Sequence, residues 1–167
     1  MLVLCAALLL AQADAGVAAT AAPSGVERRV KITVRAIAAT NDPQAPAGTD
    51  PKLKPIAPQI ESFGEQFRFR SYKLLSEQTF DLDWKAPAQV ELPGSRSLQV
   101  TPRALDRDGK IKVHFELLGE HPSHSRKLHT DYAIQRGGTI LIGGLKVDPS
   151  NAGSATLLIA VTQAVEK

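Results

Sequence analysis

Ile111-Lys112-Val113-His114-Phe115-Glu116-Leu117 alternates apolar and polar residues without a break, and Leu128-His129-Thr130-Asp131-Tyr132-Ala133-Ile134 repeats the pattern after a Gly/Pro/Ser-containing loop. A period of two is the signature of a strand with one face buried. Two such runs joined by a short loop predict an antiparallel hairpin. Its inward residues are odd-numbered on the first strand and even-numbered on the second. A slip of one residue would expose a whole face, so paired residues must join odd to even. Matching charges across the hairpin places Lys112 opposite Asp131 and Glu116 opposite Lys127, which also sets His114 beside His129 on the outer face.

The same signals recur on both sides of this hairpin. Val30-Lys-Ile-Thr-Val-Arg35 alternates, and Val90 and Leu92 face Leu98 and Val100 across Pro93-Gly94. Leu105 and Ile111 flank the turn Asp106-Arg-Asp-Gly109. Phe67-Arg-Phe-Arg70 followed by Tyr72 to Leu75 reads as one strand with a bulge near Ser71, and Phe80, Leu82 and Trp84 alternate with Asp81 and Asp83. Trp84 is expected to face the interior. Ile140-Leu-Ile142 and Leu157-Leu-Ile-Ala-Val161 are continuous apolar runs, expected as central strands buried on both faces. One helix interrupts the strands. Asp50-Pro51 supplies an N-cap and a first helical position, Leu53, Ile56, Ile60 and Phe63 recur at helical spacing, and Gly64 is the expected stop. Pro55 and Pro58 make it short and irregular, best formed between Pro58 and Phe63. About nine short strands with turns at roughly ten-residue spacing predict a mainly β fold, an antiparallel β-sandwich of hairpins with one short helix.

Leu2 to Leu10 is an apolar run of signal-peptide length, and Ala13-Asp14-Ala15 supplies a small-x-small cleavage pattern. The expected organisation is a signal peptide over 1–15, a flexible segment over 16–27 and a single β-rich domain over 28–165. Export to a periplasmic or extracellular compartment follows, with no integral membrane segment after cleavage. The single cysteine, Cys5, would leave with the signal. That excludes disulfides, thiol catalysis and Cys-ligated zinc from the mature domain. The formal charge of +3 rises by one on loss of Asp14. This excess suits an anionic envelope surface, and export argues against nucleic acid as a partner.

The search for chemistry returns no catalytic residues, no metal and no cofactor. His114, His121, His124 and His129, with Glu120, are read as solvated surface groups. Asp106-Arg-Asp-Gly-Lys-Ile111 matches the middle of a calcium loop but lacks its first and last ligands, so it is a hairpin turn. Pro93-Gly-Ser-Arg-Ser97 is no nucleophile elbow, Gly137-Gly138 and Gly143-Gly144 lead into no helix, and Asp81/Asp83 form a solvated strand face. Phe67-Arg-Phe-Arg-Ser-Tyr-Lys73 interleaves aromatic and basic residues, giving Arg68, Arg70 and Lys73 as binding residues for an anionic surface.

Thr130-Asp-Tyr-Ala-Ile-Gln-Arg-Gly-Gly-Thr-Ile-Leu-Ile-Gly-Gly-Leu145 resembles the hairpin near the end of the secretin domain, found in outer-membrane channels of bacterial secretion and pilus systems. The likeness covers sixteen residues. Lys146-Val-Asp-Pro-Ser-Asn stands where that family continues with a Pro-Leu-Leu-Gly-Asp-Ile-Pro-like run. The pattern as a whole, with Ser71-Tyr-Lys-Leu-Leu75 and Val90-Glu-Leu-Pro-Gly94, resembles small exported bacterial proteins of unassigned function. The resemblance implies a place in an envelope complex. The expected role is a non-enzymatic module binding an envelope protein or anionic surface; the alternatives are a small-molecule or lipid carrier with its ligand between the sheets, and a hydrolase using His and Asp groups. Protein recovered from the envelope fraction should begin at Gly16 by mass spectrometry, and an intact Met1 there would remove the basis for export.

Overall fold

The computed structural model describes residues 29–119, 126–151 and 153–164. The segments 1–15 and 16–27, and Glu120, His121 and His124, lie outside them. The described residues form nine strands: β1 (Val30–Thr40), β2 (Gly48–Thr49), β3 (Ser71–Leu82), β4 (Ala88–Leu92), β5 (Arg96–Leu105), β6 (Ile111–Leu118), β7 (Arg126–Ile134), β8 (Thr139–Lys146) and β9 (Thr156–Ala164). A 3₁₀ turn over Pro51–Ile56 leads into helix α1 (Ala57–Phe67). One sheet has the order β2-β3-β1-β9-β8 and the other β4-β5-β6-β7. Neighbours are antiparallel except β2 with β3. The expected β-rich sandwich with a short helix is the observed fold.

The inner faces of the two sheets meet in one apolar cluster. Val30, Ile32, Val34, Leu157, Ile159 and Val161 from the five-stranded sheet pack with Val90, Leu98, Val100, Val113, Phe115 and Ile134 from the other. A second cluster lies on the opposite face of the five-stranded sheet, where Ile37, Ala39, Tyr72, Leu158 and Ala160 receive Leu53, Ile56 and Ile60 from the helical segment. β1 and β9 are therefore covered on both sides. The expectation for 157–161 holds, whereas β1 is more deeply buried than its alternation suggested. Thr33 and Arg35 are buried with it. Their polar atoms find partners across the strands: Arg35 Nε donates to Glu77 at 2.6 Å and its Nη1 to Thr162 at 3.2 Å, while Thr33 and Thr79 share a hydrogen bond.

Several expectations are corrected. Residues 140–142 lie on the edge strand β8, not a central one, and are half-buried. Their apolar character comes from cover on the sheet's two faces, including Phe63 of α1, which would sit 3.2 Å from a Cβ at Gly143. Residues 67–70 are not strand: Phe67 closes α1, stacked on Phe63 at 4.3 Å, and Arg68 takes the left-handed conformation (φ 49°) with its amide donating to Gly64 O. Gly64 lies within the helix, three residues before its end. The single strand β3 then runs through residues expected as two, and its bulge falls at Leu75, where the register steps from Ala36↔Ser76 to Ile37↔Leu74. That extra residue moves the even-numbered side chains to the other face, so Tyr72 and Leu74 join the helix-side cluster and Phe80 and Leu82 the inner one. Trp84 is half-buried against the inner cluster from the turn after β3.

The stretch 130–145 is a corner in this fold. β7 pairs with β6 and β8 with β9, and the turn at Gln135–Gly138 carries the chain from one sheet to the other. Across the same gap Arg96, buried at the start of β5, donates to Pro93 O and, from Nη2, to the carbonyls of Lys146 and Val147. No helix of the described residues is long and apolar enough to cross a membrane.

Tyr72 offers a test of the helix packing. Burial raises its phenol above the usual value, an effect the Phe69 backbone offsets only in part, and among the described residues its Oη has no partner at ordinary hydrogen-bond distance and angle. The same oxygen would lie 3.1 Å from a Cβ on Gly64. An unsatisfied buried hydroxyl costs about 1–3 kcal/mol. Tyr72→Phe should therefore stabilise the domain by about 1 kcal/mol, raising its melting temperature by roughly 2–4 °C. Gly64→Ala should be destabilising alone and stabilising in the Tyr72→Phe background, because the shorter ring leaves room for the methyl and alanine favours the helix.

Candidate functional site

Two surfaces carry the polar chemistry. The first is residues 68–73, running from the end of α1 into β3. Arg68 is the left-handed cap of the helix. Arg70 is fixed through its backbone, its amide donating to Thr40 O and Asn41 Oδ1 and its carbonyl accepting from Gly48. Lys73 stands on β3 opposite Ala38 and borders a groove of about 290 Å³ lined also by Pro46, Thr49, Asp50 and Tyr72. All three side chains are exposed, and among the described residues none forms an ion pair. The structure thus keeps the three predicted binding residues on one anchored segment, but Arg68 and Arg70 stand outside the lining of that groove.

The second surface, the outer face of the four-stranded sheet, is where the sequence-based expectations need most correction. β6 and β7 pair odd to even as expected, but two residues away from the register that charge matching favours. Ile111 faces Ile134, Leu117 faces Leu128, His114 faces Asp131 and Glu116 faces His129. Lys112 lies opposite Ala133, and Lys127 is not the partner of Glu116. Pairing Ile111 with Ile134 and Leu117 with Leu128 keeps apolar side chains together on the inner face, a larger effect than two surface ion pairs worth about 0–1 kcal/mol each. Tyr132, expected inward, is 46% exposed, although its ring still reaches Phe115 at 6.0 Å.

The consequence for the histidines is direct. His114 is on the outer face as expected, yet only 6% exposed, so it is not the solvated group that its position suggested. Its Nδ1 lies 2.7 Å from Asp131 Oδ1. Its ring meets His129 edge-to-face with centroids 4.4 Å apart. Glu116, half-buried, is two residues along the strand on the same face. His114, His129 and Asp131 border an open groove of about 530 Å³ with Arg103, Lys112 and Tyr132, Arg103 being the extra residue where β5 bulges against β6. The signal that could have found this group was present: two alternating strands each carrying histidine and acid on their polar face. The expected register sets His114 beside His129, as the structure does, but does not bring Asp131 opposite His114 or Glu116 opposite His129.

No family model, curated protein or solved structure matches the chain.

An ionised carboxylate only accepts, so in the neutral ring His114 Nδ1 carries the proton and Nε2 keeps its lone pair. Long-range ¹H–¹⁵N spectra should show the neutral form of His114 as the Nδ1–H tautomer. Asp131→Asn should mix or reverse the tautomers.

Proposed function

We propose that this protein is an exported, non-enzymatic binding module of the cell envelope whose working surface is the cationic segment Arg68, Arg70 and Lys73. The observation that carries the reading is that these three exposed cations sit on a segment anchored by backbone hydrogen bonds to Thr40, Asn41 and Gly48, with no acidic partner among the described residues. Ordered backbone under free cationic side chains suits a phosphate- or carboxylate-bearing surface, since little conformational entropy is left to lose on contact. The apolar run at Leu2–Leu10 and Ala13-Asp14-Ala15 support export, and a finer version, an accessory of a secretion or pilus-type assembly, rests on the sequence likeness of residues 130–145 to secretins alone, since here they form a corner between the sheets and not a hairpin.

A carrier with its ligand between the sheets has less support, because Val34, Leu98, Val113, Phe115 and Leu157 fill that interior at 0–1% exposure. A hydrolase has one observation in its favour, the convergence of His114, Asp131, His129 and Glu116 beside a groove. Cosedimentation with vesicles separates the readings. Vesicles containing phosphatidylglycerol should bind the protein and neutral phosphatidylcholine vesicles should not, with binding weakening as salt rises. At about 1 kcal/mol per basic residue near an anionic leaflet, replacing Arg68, Arg70 and Lys73 together by alanine should weaken binding by roughly 100-fold. Equal binding to neutral vesicles, or an unaffected triple variant, would overturn the surface-binding role; turnover of ester or phosphoester substrates lost in Asp131→Asn would favour the hydrolase.

A further inference from the structure

The outer face of the four-stranded sheet holds a donor set independent of the cationic segment. Glu116 on β6 is directly opposite His129 on β7. His114 is two residues before Glu116, so its side chain projects from the same face and meets His129 edge-to-face. One ligand atom from each of His114, Glu116 and His129 lies within 4.8 Å of the others. We infer that these three residues bind a divalent transition metal of the borderline class, Zn²⁺ or Cu²⁺, at the mouth of the groove on this face.

Four features of the geometry support the assignment. Two imidazoles and a carboxylate are the ligand types that zinc and copper take, whereas calcium and magnesium require oxygen shells. Asp131 Oδ1 lies 2.7 Å from Nδ1 of His114, which orients the ring and, with Nδ1 as donor, makes Nε2 the nitrogen free to coordinate; a carboxylate behind a histidine is the usual outer-shell partner of a metal ligand. The donors stand on paired strands, whose backbone holds positions that a loop does not. Glu116 and Asp131 also supply two negative charges to offset those of a divalent ion, against the cations Lys112 and Arg103 that line the same groove. Bonds of about 2.0–2.2 Å require the donors to draw in slightly. His129, exposed, rotates to do so while Asp131 keeps His114 in place. Three protein ligands leave the remaining positions open to the groove, the arrangement of a metal that takes a further ligand.

The test is calorimetric titration of the full chain, purified without a histidine tag, with zinc sulfate and separately with copper sulfate. One equivalent should bind with sub-micromolar affinity, and the copper complex should show nitrogen hyperfine coupling from two imidazoles. His129→Ala, at an exposed position, and Glu116→Gln should each weaken binding by at least roughly tenfold, and Asp131→Asn by about 10–100-fold through the outer shell. His121→Ala with His124→Ala should leave affinity unchanged. Circular dichroism of each variant separates lost ligation from lost folding, and His129→Ala alone suffices to test the site should a variant of the buried His114 fail to fold. Binding weaker than micromolar, or binding kept in His129→Ala and lost in the His121/His124 pair, overturns the site.

Discussion

Burial of β1 on both faces is the constraint from which the remaining architecture follows. A strand with apolar cover above and below must lie between two further layers, one per face. The four-stranded sheet supplies one, and the 3₁₀ turn with α1 supplies the other. The polar residues of β1 are tolerable there only because Arg35 reaches Glu77 and Thr162, and Thr33 reaches Thr79. The bulge at Leu75 has the same origin. β3 packs under the helix at its start and under the opposite sheet at its end, and one inserted residue changes its apolar face between those two duties.

Local pattern made much of this legible. The hairpin at Pro93-Gly94 and the one at Asp106–Gly109 form as their turn residues require, with Val90 facing Leu98 and Leu105 facing Ile111. The Asp50 cap forms too, its carboxylate accepting from Lys52. Pattern misleads where two physical situations leave the same trace. Ile140-Leu-Ile142 is apolar because both faces are covered, and cover by layers does not reveal whether a strand has neighbours on both edges. Phe67 and Phe69 alternate with arginines as a strand would, yet Phe67 is four residues from Phe63 and stacks on it at the end of a helix. Gly64 looks like a helix terminator because glycine has that use; here its missing side chain makes room for Tyr72.

The sequence already places His114 beside His129 on the outer face, as the structure does, but not their acidic partners, and the reason is register. Odd-to-even pairing leaves several alignments of β6 with β7 that all keep the correct faces inward. Surface charge is a weak discriminator among them, while the apolar pairs at the two ends of the ladder are a stronger one. Moving two residues along puts Asp131 behind His114 and His129 across from Glu116. The site therefore depends on side chains of the opposite face: Ile111, Ile134, Leu117 and Leu128 fix the alignment that brings the polar residues together.

Sheet order also determines when the molecule can assemble. β1 pairs with β9 from Lys31↔Ala164 to Ala39↔Thr156, so the first and last strands of the described residues are neighbours. Contacts between such distant parts of a chain close late and slowly, because loop-closure entropy is lost before any pairing offsets it. The hairpins of the four-stranded sheet are local and can form while synthesis continues. The five-stranded sheet cannot, and until residues 156–164 arrive β8 has no partner and β1 has only β3. The five-stranded sheet is therefore completed only when residues 156–164 are delivered. Removing β9 would divide that sheet, with β2, β3 and β1 on one side and β8 alone on the other, instead of trimming its rim.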